Sequence, residues 1–196
     1  MSKTDLSGLG QVWLIGCGNM GGALLSRWQS CGLQDVIVID PHPGEIAEAR
    51  TSLPRTGDPE IVVLAVKPQA WLSATADLPS RLGPATVIVS VMAGITTRAL
   101  AARFPGHAII RTMPNTPARI GHGMTALYGH AADGAACRRA DALMTAAGET
   151  VWLDKEPDFD AVTAVSGSGP AYLFAFIEAL AAAAEASGLS PGLAAG

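Results

Sequence analysis

Short apolar runs alternate along this chain with segments whose apolar residues recur at helical spacing. The continuous β-branched run Ile61–Val66 is typical of a parallel strand that is covered on both faces. Comparable runs predict further strands at residues 11–15, 36–39, 86–91, 107–112, 124–128 and 149–153. Helices are predicted after residue 18, at 45–50, around 71–78, at 98–104 behind Thr96 or Thr97, and at 135–147. This alternation predicts an α/β fold with a doubly wound parallel sheet.

The first strand leads into a glycine-rich turn, Gly16–Gly21, which has the pattern Gly-x-Gly-x-x-Gly. Its glycines suit a tight turn, close approach of the backbone to a pyrophosphate, and close packing of a helix on a strand. The free N–H groups and the dipole at the start of the following helix favour a bound diphosphate. The pattern predicts a Rossmann-like site for a nicotinamide dinucleotide. A glycine turn that merely joins a strand to a helix is the alternative.

Asp40 ends the second strand, roughly 20 residues after the turn, where such folds carry an acid that binds the adenosine ribose. A carboxylate there favours the two ribose hydroxyls of NAD and repels the extra phosphate of NADP. The predicted cofactor is NADP or NAD, with the preference open.

Ligands of doubly wound sheets collect at the carboxyl ends of the strands. Lys67 follows such a strand and could approach a cofactor ribose or phosphate or steer an anionic substrate, although a bare lysine is more often a solvated charge. Asn115 could contact the nicotinamide carboxamide or only shape the turn between two prolines. The candidate cofactor-binding residues are Gly16, Cys17, Gly18, Asn19, Met20, Gly21, Asp40, Ala65, Val66, Lys67, Pro68, Ala93, Gly94 and Asn115.

Composition changes abruptly after the polar turn Lys155–Asp158. We expect a dinucleotide-binding domain at residues 1–155 and the start of a helical domain at 156–196. A predicted helix from Ala171 to about Ser187 is apolar nearly all round, with Glu178 and Glu185 as its only charges. Such a helix has to be buried. The α/β domain is expected to cover one side, and a second copy in a dimer or higher homo-oligomer the other.

Composition limits the remaining classes of function. A net charge of -4 provides no basic field for nucleic acid or anionic lipid. Three scattered cysteines suit reduced thiols, and no Cys-x-x-Cys or His-x-x-x-His spacing predicts a metal site. No window reads as a membrane span, and residues 1–10 resemble a loose leader without the apolar core of a secretory signal. We therefore expect a cytoplasmic protein.

Several motifs together resemble the pyrroline-5-carboxylate reductase family, whose members make proline. They extend from about residue 11 to the end. Two of them, Arg111–Ala118 and Asp160–Tyr172, distinguish this family among Gly-x-Gly-x-x-Gly proteins. The matching segments are Ile15–Gly21, Ala65–Pro68, Ser90–Gly94, Arg111–Ala118 and Asp160–Tyr172.

The resemblance implies hydride transfer from NAD(P)H to the C=N carbon of 1-pyrroline-5-carboxylate, which gives L-proline. The cofactor carries the chemistry, while the protein positions the rings, excludes water and complements charge. Pro170 suits the first turn of a helix, so free N–H groups of Ser168 and Gly169 could receive the substrate carboxylate; alternatively Ser168 only caps that helix. Tyr172 could donate a proton or only pack. The candidate substrate-binding residues are Ser166, Gly167, Ser168, Gly169 and Pro170, and the candidate catalytic residues are Ser168, Tyr172 and Lys67.

Two departures from the family pattern affect these expectations. The segment between Asp40 and Ile61 is shorter than in the family, so the adenine side of the cofactor pocket is expected to be reduced or rebuilt. Family members continue for several more helices, which carry a Ser-Pro-Gly-Gly-Thr-Thr-like loop that helps to hold the substrate carboxylate. We expect weakened assembly and weak or absent turnover in their absence.

Two other functions are compatible with parts of the pattern. A hydroxyacid dehydrogenase of the 3-hydroxyisobutyrate type also begins with a glycine turn and joins a helical domain. It would need a catalytic lysine on the helix after the domain junction, and residues 171–187 contain no lysine. The chain could also be a non-catalytic remnant that binds the cofactor or forms a dimer.

Overall fold

The computed structural model describes residues 4–42, 49–55 and 57–195, and in these residues seven strands form one sheet. The strand order is β2-β1-β3-β4-β5-β6-β7, and the first five strands run parallel. The predicted α/β fold with a doubly wound sheet is confirmed. The strands are β1 (Val12–Ile15), β2 (Val36–Ile39), β3 (Ile61–Leu64), β4 (Val87–Ser90), β5 (Ala108–Met113), β6 (Gly123–His130) and β7 (Gly148–Trp152).

The last two strands run in the opposite direction to the first five. Strand β6 pairs antiparallel with β5, whereas β7 is parallel to β6 and is connected to it through helix α4 (Gly134–Thr145). A parallel crossover needs about a dozen residues or more. The connection between β5 and β6 is shorter and contains only a 3-10 turn at Thr116–Ile120. The alternation of elements predicted a parallel sheet throughout, and this short connection is the reason for the difference.

Helices cover both faces of the sheet. Helix α1 (Asn19–Ser30) and α4 pack on one face, and Trp28 of α1 donates a hydrogen bond from its indole nitrogen to the carbonyl of Leu143 at 2.9 Å. Helices α2 (Trp71–Ala74) and α3 (Thr97–Arg103) pack on the other face. Adjacent strand residues such as Trp13 and Leu14 belong to opposite cores because side chains alternate along a strand.

The helix starts follow local hydrogen bonding. Thr96 is the residue that caps α3, since its hydroxyl accepts a hydrogen bond from the N–H of Ala99 at 3.2 Å. Asp133 caps α4 in the same way through the N–H of Ala136, and this hydrogen bond lowers the pKa of the Asp133 carboxyl. Most of the helix predicted at 45–50 lies outside the described residues. At its end, Arg50 instead forms a single β-bridge with Ile39.

The described amino-terminal residues contact the end of α1 and the residue before β3. The side chain of Leu6 is buried, and its N–H donates to the carbonyl of Cys31 at 2.8 Å. The N–H of Gly10 donates to a carboxylate oxygen of Glu60 at 2.6 Å. The prediction of a loose leader is therefore wrong for residues 4–10.

A helical segment follows the sheet. It contains a 3-10 turn at Glu156–Asp158, helix α5 (Phe159–Val162), a π-helical turn at Thr163–Gly167, helix α6 (Gly169–Ala186) and the short helix α7 (Pro191–Ala194). Helix α6 has no buried residue in the single chain. The prediction that the α/β domain covers one side of this helix is wrong. Its large apolar side chains are 50–60% exposed: Leu173, Phe174, Phe176, Ile177 and Leu180.

The continuous helical stretch Glu156–Ala186 is long and apolar enough to cross a membrane by length and composition. The mean hydropathy of its 18-residue window is 1.2. This finding corrects the expectation that no window reads as a membrane span. The same test is passed by helices that are buried in a protein core or between subunits, so the finding alone is weak evidence for a membrane.

Candidate active site

The carboxyl ends of the first five strands form one continuous edge. In the parallel register Ile15 aligns with Ile39 and Leu64, and Leu64 aligns with Ser90. Gly16, Asp40 and Ala65 therefore lie side by side, and the segments after β3, β4 and β5 bring Lys67, Ala93 and Asn115 to the same edge. The structure brings the residues predicted from the glycine-rich turn and from the strand ends together.

The three glycines of the turn have three different surroundings. Gly16 has φ +90°, and a Cβ on it would lie 2.9 Å from the carbonyl oxygen of Ala65. A Cβ on Gly21 would collide with the carbonyl oxygen of Gly16, so this glycine lets α1 pack closely on the turn. At Gly18 no heavy atom lies within 4 Å of the Cβ position. The backbone of Gly18 is thus open to an approaching ligand.

Helix α1 begins without a capping side chain and without an acidic residue in its first turn. Its first N–H groups have no partner within the helix and suit an anion. A cavity of about 580 Å³ adjoins this helix start and is also lined by Arg119 of the 3-10 turn. Reasoning from the sequence missed Arg119, because its place depends on how that turn packs against α1. No pattern in the sequence signals this contact.

Asp40 holds the end of β2 to the glycine-rich turn. One carboxylate oxygen accepts the N–H of Cys17 at 2.7 Å, and the other accepts the N–H of His42 at 2.8 Å. The sequence placed Asp40 near the cofactor ribose but did not predict these contacts. Burial, and secondarily the Asp40 carboxylate, raises the pKa of the Cys17 thiol, so the thiol stays protonated at neutral pH.

A groove of about 660 Å³ lies beyond the carboxyl ends of β1, β2 and β3, on the adenine side of the predicted cofactor site. Ile39, Val66 and Ala74 contribute apolar walls, and Arg55 and Arg81 lie at its border. Arg81 donates a hydrogen bond to the carbonyl of Arg55 at 2.9 Å. Two arginines therefore lie close together at this groove.

Three other candidate cofactor residues lie in exposed turns at the same edge. Lys67 is exposed after β3, and among the described residues its ammonium group forms no salt bridge. Ala93 and Gly94 are exposed after β4, where Gly94 has φ +76°. All three are accessible to a ligand, and their roles remain predictions.

Asn115 joins the sheet edge to the helical segment. Its side-chain carbonyl accepts the N–H of Met124 at 2.9 Å. Its amide nitrogen donates to the hydroxyl of Ser166 at 3.2 Å and to the Ser166 carbonyl at 3.4 Å. A candidate cofactor residue and a candidate substrate residue are thus in direct contact, and the Asn115 amide is already hydrogen-bonded on both sides.

The glycine- and serine-rich turn Ser166–Pro170 continues the helix rather than interrupting it. The N–H of Ser168 donates to the carbonyl of Thr163 at 2.9 Å, so the expectation of a free N–H on Ser168 is wrong. The Ser168 side chain makes no capping hydrogen bond, so the capping alternative is wrong too. Pro170 lies in the first turn of α6, as predicted. Tyr172 follows and is 64% exposed.

The π-helical turn beside this site is a feature that the sequence did not predict. Such turns are rare and occur frequently at functional sites. Within the described parts of the chain, no group of three or more His, Cys, Asp or Glu side chains is arranged to hold a metal ion. The groups found at the site are backbone N–H groups, hydroxyl groups, the Asn115 amide and cations.

Two family models match parts of this chain. Residues 156–195 match the family model for pyrroline-5-carboxylate reductase dimerisation, and residues 11–94 match the model for NADP oxidoreductase, coenzyme F420-dependent. The pyrroline-5-carboxylate reductase of Pseudomonas aeruginosa is 37% identical over 193 residues, which cover 92% of this chain and 71% of that protein. The chain belongs to the pyrroline-5-carboxylate reductase family.

Solved structures of pyrroline-5-carboxylate reductases have the same fold. The enzyme from Coxiella burnetii superimposes with a TM-score of 0.81 at 28% identity, over 95% of this chain and 74% of that one. The enzyme from Plasmodium falciparum, solved with NADP bound, gives a TM-score of 0.81 at 25% identity, over 95% and 73% of the two chains. The family resemblance and the Rossmann-like fold that the sequence motifs predicted are confirmed.

Proposed function

We propose that this chain reduces 1-pyrroline-5-carboxylate to L-proline with a hydride from NADPH or NADH. Membership of the reductase family is the observation that carries the proposal. The hydrogen bonds between Asn115 and Ser166 support the location, because they hold the candidate substrate turn beside the candidate cofactor edge. The absence of lysine from α6 argues against the hydroxyacid dehydrogenase alternative.

The residues present fit a dinucleotide. Open space over Gly18 and the uncapped start of α1 match a diphosphate, and Asp40 fixes the turn through the N–H of Cys17. The bound nicotinamide supplies the hydride. Asn115 orients the turn that carries Ser166 and Ser168, whose hydroxyl groups are suited to a carboxylate. A protonated cyclic imine is already a good electrophile, so this chemistry needs no strong general acid.

We infer that the groove beside Arg55 and Arg81 favours the 2′-phosphate of NADP. The Asp40 carboxylate already accepts two backbone N–H groups, which leaves it fewer free lone pairs for ribose hydroxyls. Arg55 and Arg81 line the groove together with one acid, Asp77, so the cations outnumber the carboxylate there. The solved structure of the Plasmodium falciparum relative contains bound NADP.

Replacing Arg81 with Ala should weaken binding of adenosine 2′,5′-bisphosphate by about 10- to 150-fold, since a hydrogen bond to a charged group contributes about 1.5–3 kcal/mol. Binding of adenosine 5′-monophosphate should hardly change. Isothermal titration of both nucleotides measures the difference, with Arg98→Ala on the exposed side of α3 as the matched control. Equal losses for the two nucleotides would contradict a 2′-phosphate contact.

We further propose that α6 is a subunit interface in a homodimer or higher homo-oligomer, rather than a membrane span. The match of residues 156–195 to a dimerisation model and the exposed apolar side chains of α6 support this assignment. We expect a cytoplasmic location for the same reason. The proposed domains are residues 1–155 and 156–196, because β7 ends at Trp152 and the dimerisation match begins at 156.

Ser168→Ala should raise the KM for the imine by about 2- to 12-fold, which corresponds to one neutral hydrogen bond of about 0.5–1.5 kcal/mol. Cofactor affinity should stay nearly unchanged, because the Ser168 side chain belongs to the substrate end. Steady-state kinetics and cofactor titration test the two halves of this prediction. Ser187→Ala, which removes a hydroxyl near the end of α6, is the control. A change in cofactor affinity without a change in KM would reverse the assignment.

A further inference from the structure

Arg111 is a buried cation of β5 that is held by the beginning of the helical segment. Its side chain is 8% exposed, and its guanidinium nitrogen lies 3.0 Å from a carboxylate oxygen of Glu156. The guanidinium also stacks over the ring of Phe159, 4.3 Å from the ring centre. Glu156 and Phe159 both precede the π-helical turn. The sheet and the helical segment are thus joined through one charged group.

Glu156 extends this contact to a third element. Its two carboxylate oxygens accept the N–H and the hydroxyl group of Thr97, both at 2.7 Å, and Thr97 is the first residue of α3. Burial alone would raise the pKa of the Glu156 carboxyl, but the two bonds from Thr97 and the ion pair with Arg111 outweigh burial and lower it. The carboxylate is therefore charged at neutral pH, with a partner for each oxygen.

We propose that Thr97, Arg111, Glu156 and Phe159, which we call the junction cluster, position the substrate turn Ser166–Pro170 against the sheet edge. This inference rests on the proposed function, which assigns that turn to the substrate. From Glu156 to Ser166 the chain is helical almost throughout, a length of about 15 Å at the α-helical rise. Because a helix is stiff, the direction set at Glu156 decides where Ser166 lies.

The hydrogen bonds between Asn115 and the turn are longer than those of Glu156 and involve no charged group. The Asn115 amide reaches Ser166 at 3.2 and 3.4 Å, whereas the bonds of Glu156 are 2.7–3.0 Å and involve charge. A misplacement of about 1 Å at a reacting centre can cost about 100-fold in rate. Glu156 and Arg111 are therefore assigned as positioning residues, which act on the reaction through the turn.

The test compares Glu156→Gln, Arg111→Met and the double variant with the wild-type chain. Each single variant leaves one charged group, the buried Arg111 or the partly buried Glu156, without its ion-pair partner, while the double variant removes both charges. Its thermal stability should recover toward the wild-type value. The amide hydrogen exchange of residues 163–172 should nevertheless stay about tenfold faster than in the wild type, with exchange in β1–β4 unchanged. The KM for pyrroline-5-carboxylate should stay raised by about tenfold, with cofactor affinity unchanged.

The second salt bridge of the described residues, between Arg139 and Glu60 at 3.2 Å, is the matched control. Glu60→Gln should leave exchange in residues 163–172 unchanged. A double variant with wild-type exchange and KM would show that the junction cluster is only structural and would overturn the inference. If the Arg111 variants do not fold, Glu156→Gln alone decides the same comparison, because glutamine keeps the shape and can still accept from Thr97. If the wild type reduces no imine, the proposed function fails, while the exchange data still decide whether the cluster orders the turn.

Discussion

Gly18→Val should abolish measurable dinucleotide binding while leaving the chain folded. The Cβ position of Gly18 has no heavy atom within 4 Å, and its φ of -70° is accessible to any residue, so valine fits the free protein. The added methyl groups would occupy the space in front of α1 where a diphosphate has to approach. Steric intrusion of about 1–3 kcal/mol alone corresponds to a loss of about 5- to 150-fold, and the displaced hydrogen bonds add to it.

Fluorescence titration with NADPH and NADH measures this loss, and a thermal melt checks that the variant is folded. Gly8→Val is the matched control, since the Cβ position of Gly8 is equally open but lies before β1, away from the carboxyl edge. Unchanged cofactor affinity in the Gly18 variant would place the dinucleotide elsewhere.

Ile177→Glu should convert an associated protein into monomers. Ile177 is 50% exposed in the single chain and lies in the middle of α6, so a dimer that uses this helix would bury the new carboxylate. An unpaired charge in an interface is costly, and a substitution at a hot-spot residue near the centre of an interface costs about 2 kcal/mol or more, a weakening of about 30-fold. Glutamate is a good helix former, so α6 itself should persist.

Sedimentation equilibrium at micromolar concentration measures association. Leu72→Glu is the matched control, because Leu72 is 60% exposed on α2 and lies outside the helical segment. A wild-type chain that is a monodisperse monomer under these conditions would refute the interface. An Ile177 variant that associates as strongly as the wild type would show that α6 is not the surface involved.

The parts of the fold that depend on local sequence were predictable. The positions of the strands could be predicted from the β-branched runs, because a strand covered on both faces must be apolar along its length. The close packing at the glycine-rich turn was predictable, because Gly16 and Gly21 meet steric demands within one turn and its neighbouring strand. Thr96 could be named as one of two possible helix caps, since capping depends on residues only three positions apart.

The parts that depend on distant contacts were not predictable. The direction of β6 follows from the length of one connection rather than from its own residues. The hydrogen bond between Asn115 and Ser166 joins residues 51 positions apart, and neither sequence motif predicts it. The π-helical turn at Thr163–Gly167 was missed because the glycines and serines that follow Val165 are typical of a loop. Helix α6 was recognised as apolar, but the sequence could not show that the α/β domain leaves it uncovered.

Product analysis with the protein in excess over substrate tests the central claim most directly. The purified chain is mixed with pyrroline-5-carboxylate and NADPH or NADH, and chiral amino-acid analysis follows the product. We expect L-proline to appear in proportion to the reduced cofactor consumed, and no proline above the blank with the Gly18→Val variant. A wild-type chain that binds both cofactor and imine but forms no proline would contradict the assignment of this site to the reduction of pyrroline-5-carboxylate.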